Sequence, residues 1–244
     1  MRLDRYMVAC GLLSRKECAA AARAGRIAVN GTTVRRPDTV VEPLRDAVTL
    51  DGAAVHYSEF VYLWLNKPEG YVSATEDGRL PVVTELMPPE VRRMGVFPCG
   101  RLDRDTVGLM LITNDGVLAH RLLSPRFHVE KAYRFTCSIP LPDGAEQRFA
   151  RGIVIDGEQC LPARLSMDDR RTGGTVTLTE GRYHQIKRMV ESEGSRVVAL
   201  ERISFAGIPL DPTLPRGGYR YCTEEEIARL RADAETKDKQ RKGM

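Results

Sequence analysis

The chain reads as an α+β protein built from two units, on three observations. Residues 1–57 follow the order helix, turn, helix, hairpin. The longer remainder mixes strands and helices without the strict alternation of a doubly wound parallel sheet. Between them, around His56–Phe60, the pattern changes and marks a linker. The division expected is therefore 1–57, 60–232 and a basic, disordered tail over 233–244. With 244 residues, 42% hydrophobic and 29% charged, the chain is long enough for two modest cores.

In the first unit, Leu3, Tyr6, Met7, Cys10 and Leu13 recur at helical spacing, and the helix should end near Gly11. Ser14 is placed to cap a second helix, SRKECAAAARAG, whose alanines favour helix and whose Gly25 stops it. RIAVNGTTV gives two short β runs joined by Asn30-Gly31, a pair suited to the positive φ angles of a type I′ turn. Alternation then continues through DAVTLDGAAV.

The second unit opens with a strand over Val61–Leu65, stopped by Lys67-Pro68 and a turn at Gly70. A proline-rich irregular segment runs to Gly95. The apolar run Leu109–Ile112 predicts a buried strand closed by a turn at Asn114-Asp115-Gly116. GVLAHRLLSP follows as a helix closed by Ser124-Pro125, then EKAYRFTCSI as a strand, DGAEQRFARG as a helix and GTVTLTEG as a strand. HQIKRMVESEG is a helix ended by Gly194, RVVALERISFAGI supplies further strands, and TEEEIARL is a short helix with Thr223 as N-cap and acids in its first turn. No internal repeat is visible.

Charge is uneven along this frame. The whole chain carries only +4, yet between Cys10 and Arg36 six cations face Glu17 alone, a local net of +5 that points to an anionic partner such as phosphate. The six cysteines contain no C-x-x-C pair and the four histidines fit no ligand spacing, so no metal is expected, and the thiols read as reduced in a cytoplasmic protein. No apolar leader and no window of 18 uncharged apolar residues is present, which argues against export and membrane insertion. With no heptad and no leftover apolar stripe, monomer is the default.

Just ahead of the apolar run, Arg101, Asp103, Arg104 and Asp105 crowd into five residues. A structural ion-pair network is the plain explanation, but a costly one beside a buried strand. An aspartate held among cations stays ionised and available as nucleophile or base. A glycosidase is disfavoured, because two carboxylates this close in sequence leave no room for a sugar between them.

RLDRYMVACGLLSRKECAAAARAGRIAVNG resembles an S4 RNA-binding domain: Arg2, Leu3, Asp4, Ser14, Arg15, Gly25, Val29, Asn30 and Gly31 fit its pattern, with Ile27 in place of the usual valine. The resemblance implies binding of structured RNA through phosphate and shape rather than base edges, with Arg2, Arg15, Lys16, Arg23, Arg26 and Asn30 as the RNA-facing set.

Four ordered motifs resemble those of RNA pseudouridine synthases, in the branch of the small-subunit RsuA enzymes. They are LNKPEGY (Leu65–Tyr71), GRLDRDTVGL (Gly100–Leu109), EKAY (Glu130–Tyr133) and EGRYHQIKRM (Glu180–Met189). The likeness implies a mixed, largely antiparallel sheet with flanking helices, and an isomerase that needs no cofactor. It would break the N1–C1′ bond of a flipped-out uridine and rejoin the uracil through C5. Asp103 is then the essential carboxylate, whether by covalent attack or by abstracting the 2′ proton to give a glycal. Lys187 would pair with Asp103, with Arg188 as substitute if the helix phase turns it inward. Tyr133 would stack on the uracil. Arg101 would either fill the vacancy left by the uridine or bridge to Asp105. Lys67 is read as a turn residue covering the sheet edge, Asp105 as a supporting or capping group, and His184 and Gln185 as structural.

The substrate implied is small-subunit (16S) ribosomal RNA or its assembly intermediate. Two alternatives compete: the same chemistry on large-subunit (23S) RNA, and a non-catalytic S4-containing RNA-binding or assembly factor. Retention of Asp103, Tyr133 and Lys187 together argues against the second.

Overall fold

A computed structural model describes residues 1–242, with side chains described to residue 234. In the first unit, α1 (Leu3–Ala9) and α2 (Arg15–Arg23) pack on a four-stranded antiparallel sheet of β1 (Ile27–Val29), β2 (Thr32–Thr33), β3 (Val48–Leu50) and β4 (Ala53–Val55), in the order β2-β1-β3-β4. Ser14 caps α2 as expected. Its Oγ accepts from the Glu17 N–H while the Glu17 carboxylate accepts from the Ser14 N–H, a reciprocal pair that satisfies two otherwise orphaned donors. Asn30 (φ 52°) and Gly31 (φ 78°) form the hairpin turn, with Val29 opposite Thr32. Leu3, Tyr6, Met7, Cys18, Ile27 and Val48 close a core of their own.

The second unit is organised by a nine-stranded sheet. Its strands are β5 (Tyr62–Lys67), β6 (Phe97–Pro98), β7 (Val107–Thr113), β8 (Lys131–Cys137), β11 (Arg164–Met167), β12 (Gly173–Leu178), β13 (Val197–Phe205), β14 (Ile208–Pro209) and β15 (Tyr219–Tyr221). A separate hairpin pairs β9 (Val154–Ile155) with β10 (Glu158–Gln159). The main order is β11-β12-β8-β13-β7-β5-β15, with β6 paired to β7 and β14 to β13. Among these pairings only β13 with β7 is parallel, so the sheet is mixed and largely antiparallel.

The run Leu109–Ile112 reads as unbroken apolar sequence because β7 is covered on both faces. Met110 and Ile112 point into one core with Leu63 and Leu65 of β5, while Leu109 and Leu111 point into the other with Tyr62 and Trp64. Two helices, α5 (Ala145–Arg151) and α6 (Gln185–Ser192), cover the first face with Phe149, Ile186 and Met189. On the second lie α4 (Gly116–Leu123) and α7 (Glu224–Lys242), through Leu118, Leu122, Leu230 and Ala234.

Several elements differ from the sequence expectation. Asn114-Asp115-Gly116 does more than turn the chain: Asp115 is the N-cap of α4, accepting from the Leu118 N–H, and also accepts from the Tyr62 hydroxyl at 2.7 Å. The segment to Gly95 contains a short 3₁₀ turn (Val83–Leu86) and α3 (Pro89–Arg93). The C-terminal helix is longer than expected, continuing to Lys242. From residue 235 on, the side chains of the expected basic tail lie outside the described residues. No helix among the described residues is long and apolar enough to cross a membrane.

Candidate active site

Asp103 does not sit on a strand. It lies in the tight turn that leads into β7, where the Thr106 N–H donates to the Asp103 carbonyl at 3.1 Å. Two features hold this turn. Gly108 has φ 104°, and a Cβ there would come within 2.3 Å of the Arg202 carbonyl oxygen, so the parallel β7–β13 contact admits only glycine. Lys67, at the end of β5, is fully buried beneath the turn. Its Nζ donates to the carbonyls of Thr106 (2.8 Å), Asp103 (3.1 Å), Pro68 (3.1 Å) and Arg104 (3.3 Å). Burial pushes the Lys67 pKa down to about 8, against the pull of Asp105 and Asp103. Lys67 is thus an internal clamp on the Asp103 turn rather than a cover for the sheet edge.

Above the turn, α6 delivers Lys187. Its Nζ lies 2.9 Å from one Asp103 carboxylate oxygen and 2.7 Å from Asp105. Burial works against the charge on Lys187, but hydrogen bonds to Asp105 and Asp103 and their charges outweigh it and raise its pKa. Asp105 is likewise penalised by partial burial, yet Lys187 holds its pKa below the usual value. Asp105 is therefore a partner of the same lysine, not of Arg101. His184 Nε2 stands 3.5 Å from Asp103. Arg188, the proposed substitute, points away and pairs with Asp156.

The α6 entrance is held by Glu180. One of its oxygens accepts from the Leu161 N–H (3.0 Å) and Gln185 Nε2 (2.5 Å), while Gln185 in turn accepts from the Arg182 N–H (2.9 Å). Gln185 is structural, as expected. His184 adopts φ 50° at the helix start, a conformation unfavourable for a non-glycine residue.

These elements enclose a cleft of about 420 Å³, lined in part by Asp103, Thr106, Lys131, Tyr133, Ile186 and Lys187. Tyr133, on β8 opposite Val176 and Arg202, is 8% exposed. Tyr133 lines the cleft, with Leu200 and Ile186 among the apolar residues around it. At the base, Arg202 is almost fully buried, donates from Nε to the Leu109 carbonyl at 2.6 Å and packs over the Phe205 ring. Arg101 stands exposed at the mouth.

On the first unit, Arg15, Lys16 and Arg23 are exposed on α2 with no hydrogen bond or ion pair from their side chains among the described residues. Lys16 and Arg23 share one face, two turns apart. Arg2 pairs with Asp4 and Arg26 with Asp51. Asn30 is committed internally, donating to Asp46 and accepting from the Ala47 N–H, so its side chain shapes the turn. No group of three or more potential metal ligands occurs among the described residues.

Comparison with known proteins agrees with this architecture. Residues 61–192 match the RNA pseudouridylate synthase family and residues 1–43 the S4 domain. The chain is 43% identical over 231 residues to the uncharacterised RNA pseudouridine synthase YtzG of Bacillus subtilis, covering 93% of this chain and 97% of that protein. It is 40% identical over 233 residues to ribosomal small subunit pseudouridine synthase A of Escherichia coli K12, covering 93% and 99%. A crystal structure of a pseudouridylate synthase superposes with a TM-score of 0.67 at 33% identity, covering 94% of this chain and 99% of that one.

Proposed function

Because the chain belongs to the RNA pseudouridylate synthase family, an enzyme class that isomerises uridine in RNA, we propose that it acts on one uridine of small-subunit (16S) ribosomal RNA with Asp103 as its essential carboxylate. The observation that carries the assignment is the convergence of Asp103, Lys187 and Tyr133, from three separate segments, on one cleft of about 420 Å³. The small-subunit preference rests on the relatives named for that RNA, which the chain matches over nearly its whole length.

In this mechanism the uridine leaves the RNA stack and its base lies against Tyr133. Lys187 orients the Asp103 carboxylate through a charge-assisted bond. The Lys67 clamp fixes the backbone from which the carboxylate projects, so its reach to C1′ or the 2′ position is set in advance. Breaking N1–C1′ frees the uracil, which turns within the cleft and rejoins through C5; C5 then gives up its proton and N1 takes one up, so the base keeps its composition and no oxidant or reductant is needed. Arg101, at the mouth, meets the phosphate backbone beside the vacated position.

Mapping pseudouridines in both ribosomal RNAs from cells lacking this protein tests the substrate. Loss of one small-subunit site is expected. Loss of a large-subunit site would transfer the activity to that RNA, and loss of neither would remove ribosomal RNA as substrate.

The S4 domain supplies affinity more than chemistry. Replacing Arg15, Lys16 and Arg23 together by alanine is expected to weaken RNA binding and to flatten the dependence of log Kd on log salt by about 2–3, at roughly 0.7–0.9 for each phosphate no longer neutralised. The maximal rate on saturating RNA should stay within a few-fold. An unchanged salt slope would mean that α2 is not the phosphate footprint.

A further inference from the structure

On the far side of the Arg101–Asp103 segment lies a second cleft of about 520 Å³, bounded by Val72, Ser73, Asp77 and Arg104. It shares Arg101, Asp103, Tyr183 and His184 with the catalytic cleft, so the two open on a common rim. Tyr183 is 71% exposed, and its ring stacks on the His184 imidazole with centroids 3.9 Å apart and planes 19° from parallel. Large exposed aromatics carry a solvation cost that a stacking partner removes. Around this pair the exposed side chains of Arg101 and Arg104 make no hydrogen bond or ion pair among the described residues. An aromatic platform flanked by uncommitted cations is the arrangement that holds single-stranded nucleotides: the ring takes the base face and the guanidinium groups take the phosphates.

We propose that Tyr183, backed by His184, is the stacking platform for the base next to the target uridine, with that nucleotide lodged in the second cleft and its phosphate on Arg101 or Arg104. This rests on the reading of the neighbouring cleft as the uridine site. The geometry follows from the shared rim: when the uridine enters one cleft, the backbone crosses the Arg101–Asp103 segment and its neighbour falls on the other. Stacking addresses a π face that every base has, so the platform contributes affinity and register rather than base identity. His184 is then more than structural, since it supports Tyr183 from behind while facing Asp103.

The test uses the full-length protein and a stem-loop excised from the ribosomal RNA around the mapped uridine. Each nucleotide flanking the uridine is replaced in turn by an abasic residue, and binding is measured for the wild type, Tyr183→Ala and Tyr183→Phe. For the wild type, one abasic position should weaken binding on the order of 10- to 100-fold, the range of one stacked base. Tyr183→Ala should lose a similar factor on intact RNA and lose nothing further on that abasic RNA, while Tyr183→Phe should behave as wild type. Independent, multiplicative losses, or no loss at either abasic position, would overturn the platform. Conversion of the intact stem-loop by the wild type is read in parallel, so failure of the uridine assignment shows as absent pseudouridine and failure of the platform does not.

Discussion

Asp103→Asn is expected to abolish pseudouridine formation, lowering the rate by a factor of at least about 10³, while RNA affinity changes only a few-fold. The substitution is nearly isosteric, but an amide can neither attack C1′ nor take up the 2′ proton. The fold should be retained for a specific reason: Lys187 keeps Asp105 as a partner at 2.7 Å, so its half-buried ammonium is not left without an anion. Thermal unfolding should therefore shift by no more than a few degrees. Binding is insulated because the α2 cations make no hydrogen bond or ion pair with this carboxylate. Turnover and affinity measured on the same RNA settle the matter; full turnover by the variant would remove Asp103 from the chemistry.

Lys67→Met should be the most damaging change outside the reacting groups. Methionine keeps the volume but leaves the carbonyls of Asp103, Arg104 and Thr106 without their shared donor. At roughly 1–3 kcal/mol per unsatisfied buried group, a loss of about 3 kcal/mol or more is expected. In a chain of this size that corresponds to a drop in Tm on the order of 10 °C. The rate should fall as well, even where the protein is folded, because the Asp103 turn is no longer pinned.

The pH dependence has a definite sign. The folded pKa of Lys67, about 8, lies below its unfolded value. Between pH 8 and about 10.5 the unfolded chain binds more protons at this position, so its contribution to stability improves as pH rises. Lys187 acts oppositely: its raised pKa gives a contribution fully present below its unfolded value and lost at higher pH. The stability gap between wild type and Lys67→Met should therefore widen from pH 8 to pH 10, on the order of 1–3 kcal/mol. Denaturant unfolding at several pH values measures it, and a constant gap would refute the low pKa.

The residues alone marked only a carboxylate among cations; Tyr133 and Lys187 were legible through the resemblance of their segments to the family's motifs. Their grouping was not. Lys187 and Arg188 are neighbours in sequence and equally basic. Only the phase of α6 sends one to Asp103 and the other to Asp156. Asn30 fits a binding motif by type, yet its amide is used within the hairpin. Lys67 resembled a turn residue because its neighbours Pro68 and Gly70 mark a turn, and nothing local shows that the Asp103 loop closes over it. Tyr183 gave no periodic signal at all; its exposure is visible only once α6 is packed.

By itself the sequence determined the two-unit α+β plan, the Ser14 cap, the Asn30-Gly31 turn, the doubly buried strand β7 and the family. These rest on short-range conformational preference and hydrophobic periodicity, which a few neighbouring residues suffice to express. The tertiary structure alone decided between Lys187 and Arg188 as the cation at Asp103, what lies beneath that turn, and that Tyr183 stands exposed at the rim of the cleft. Lys67 and Lys187 lie 36 and 84 positions from Asp103, and the geometry of these pairings is set by sheet order and helix rotation, quantities no local stretch encodes.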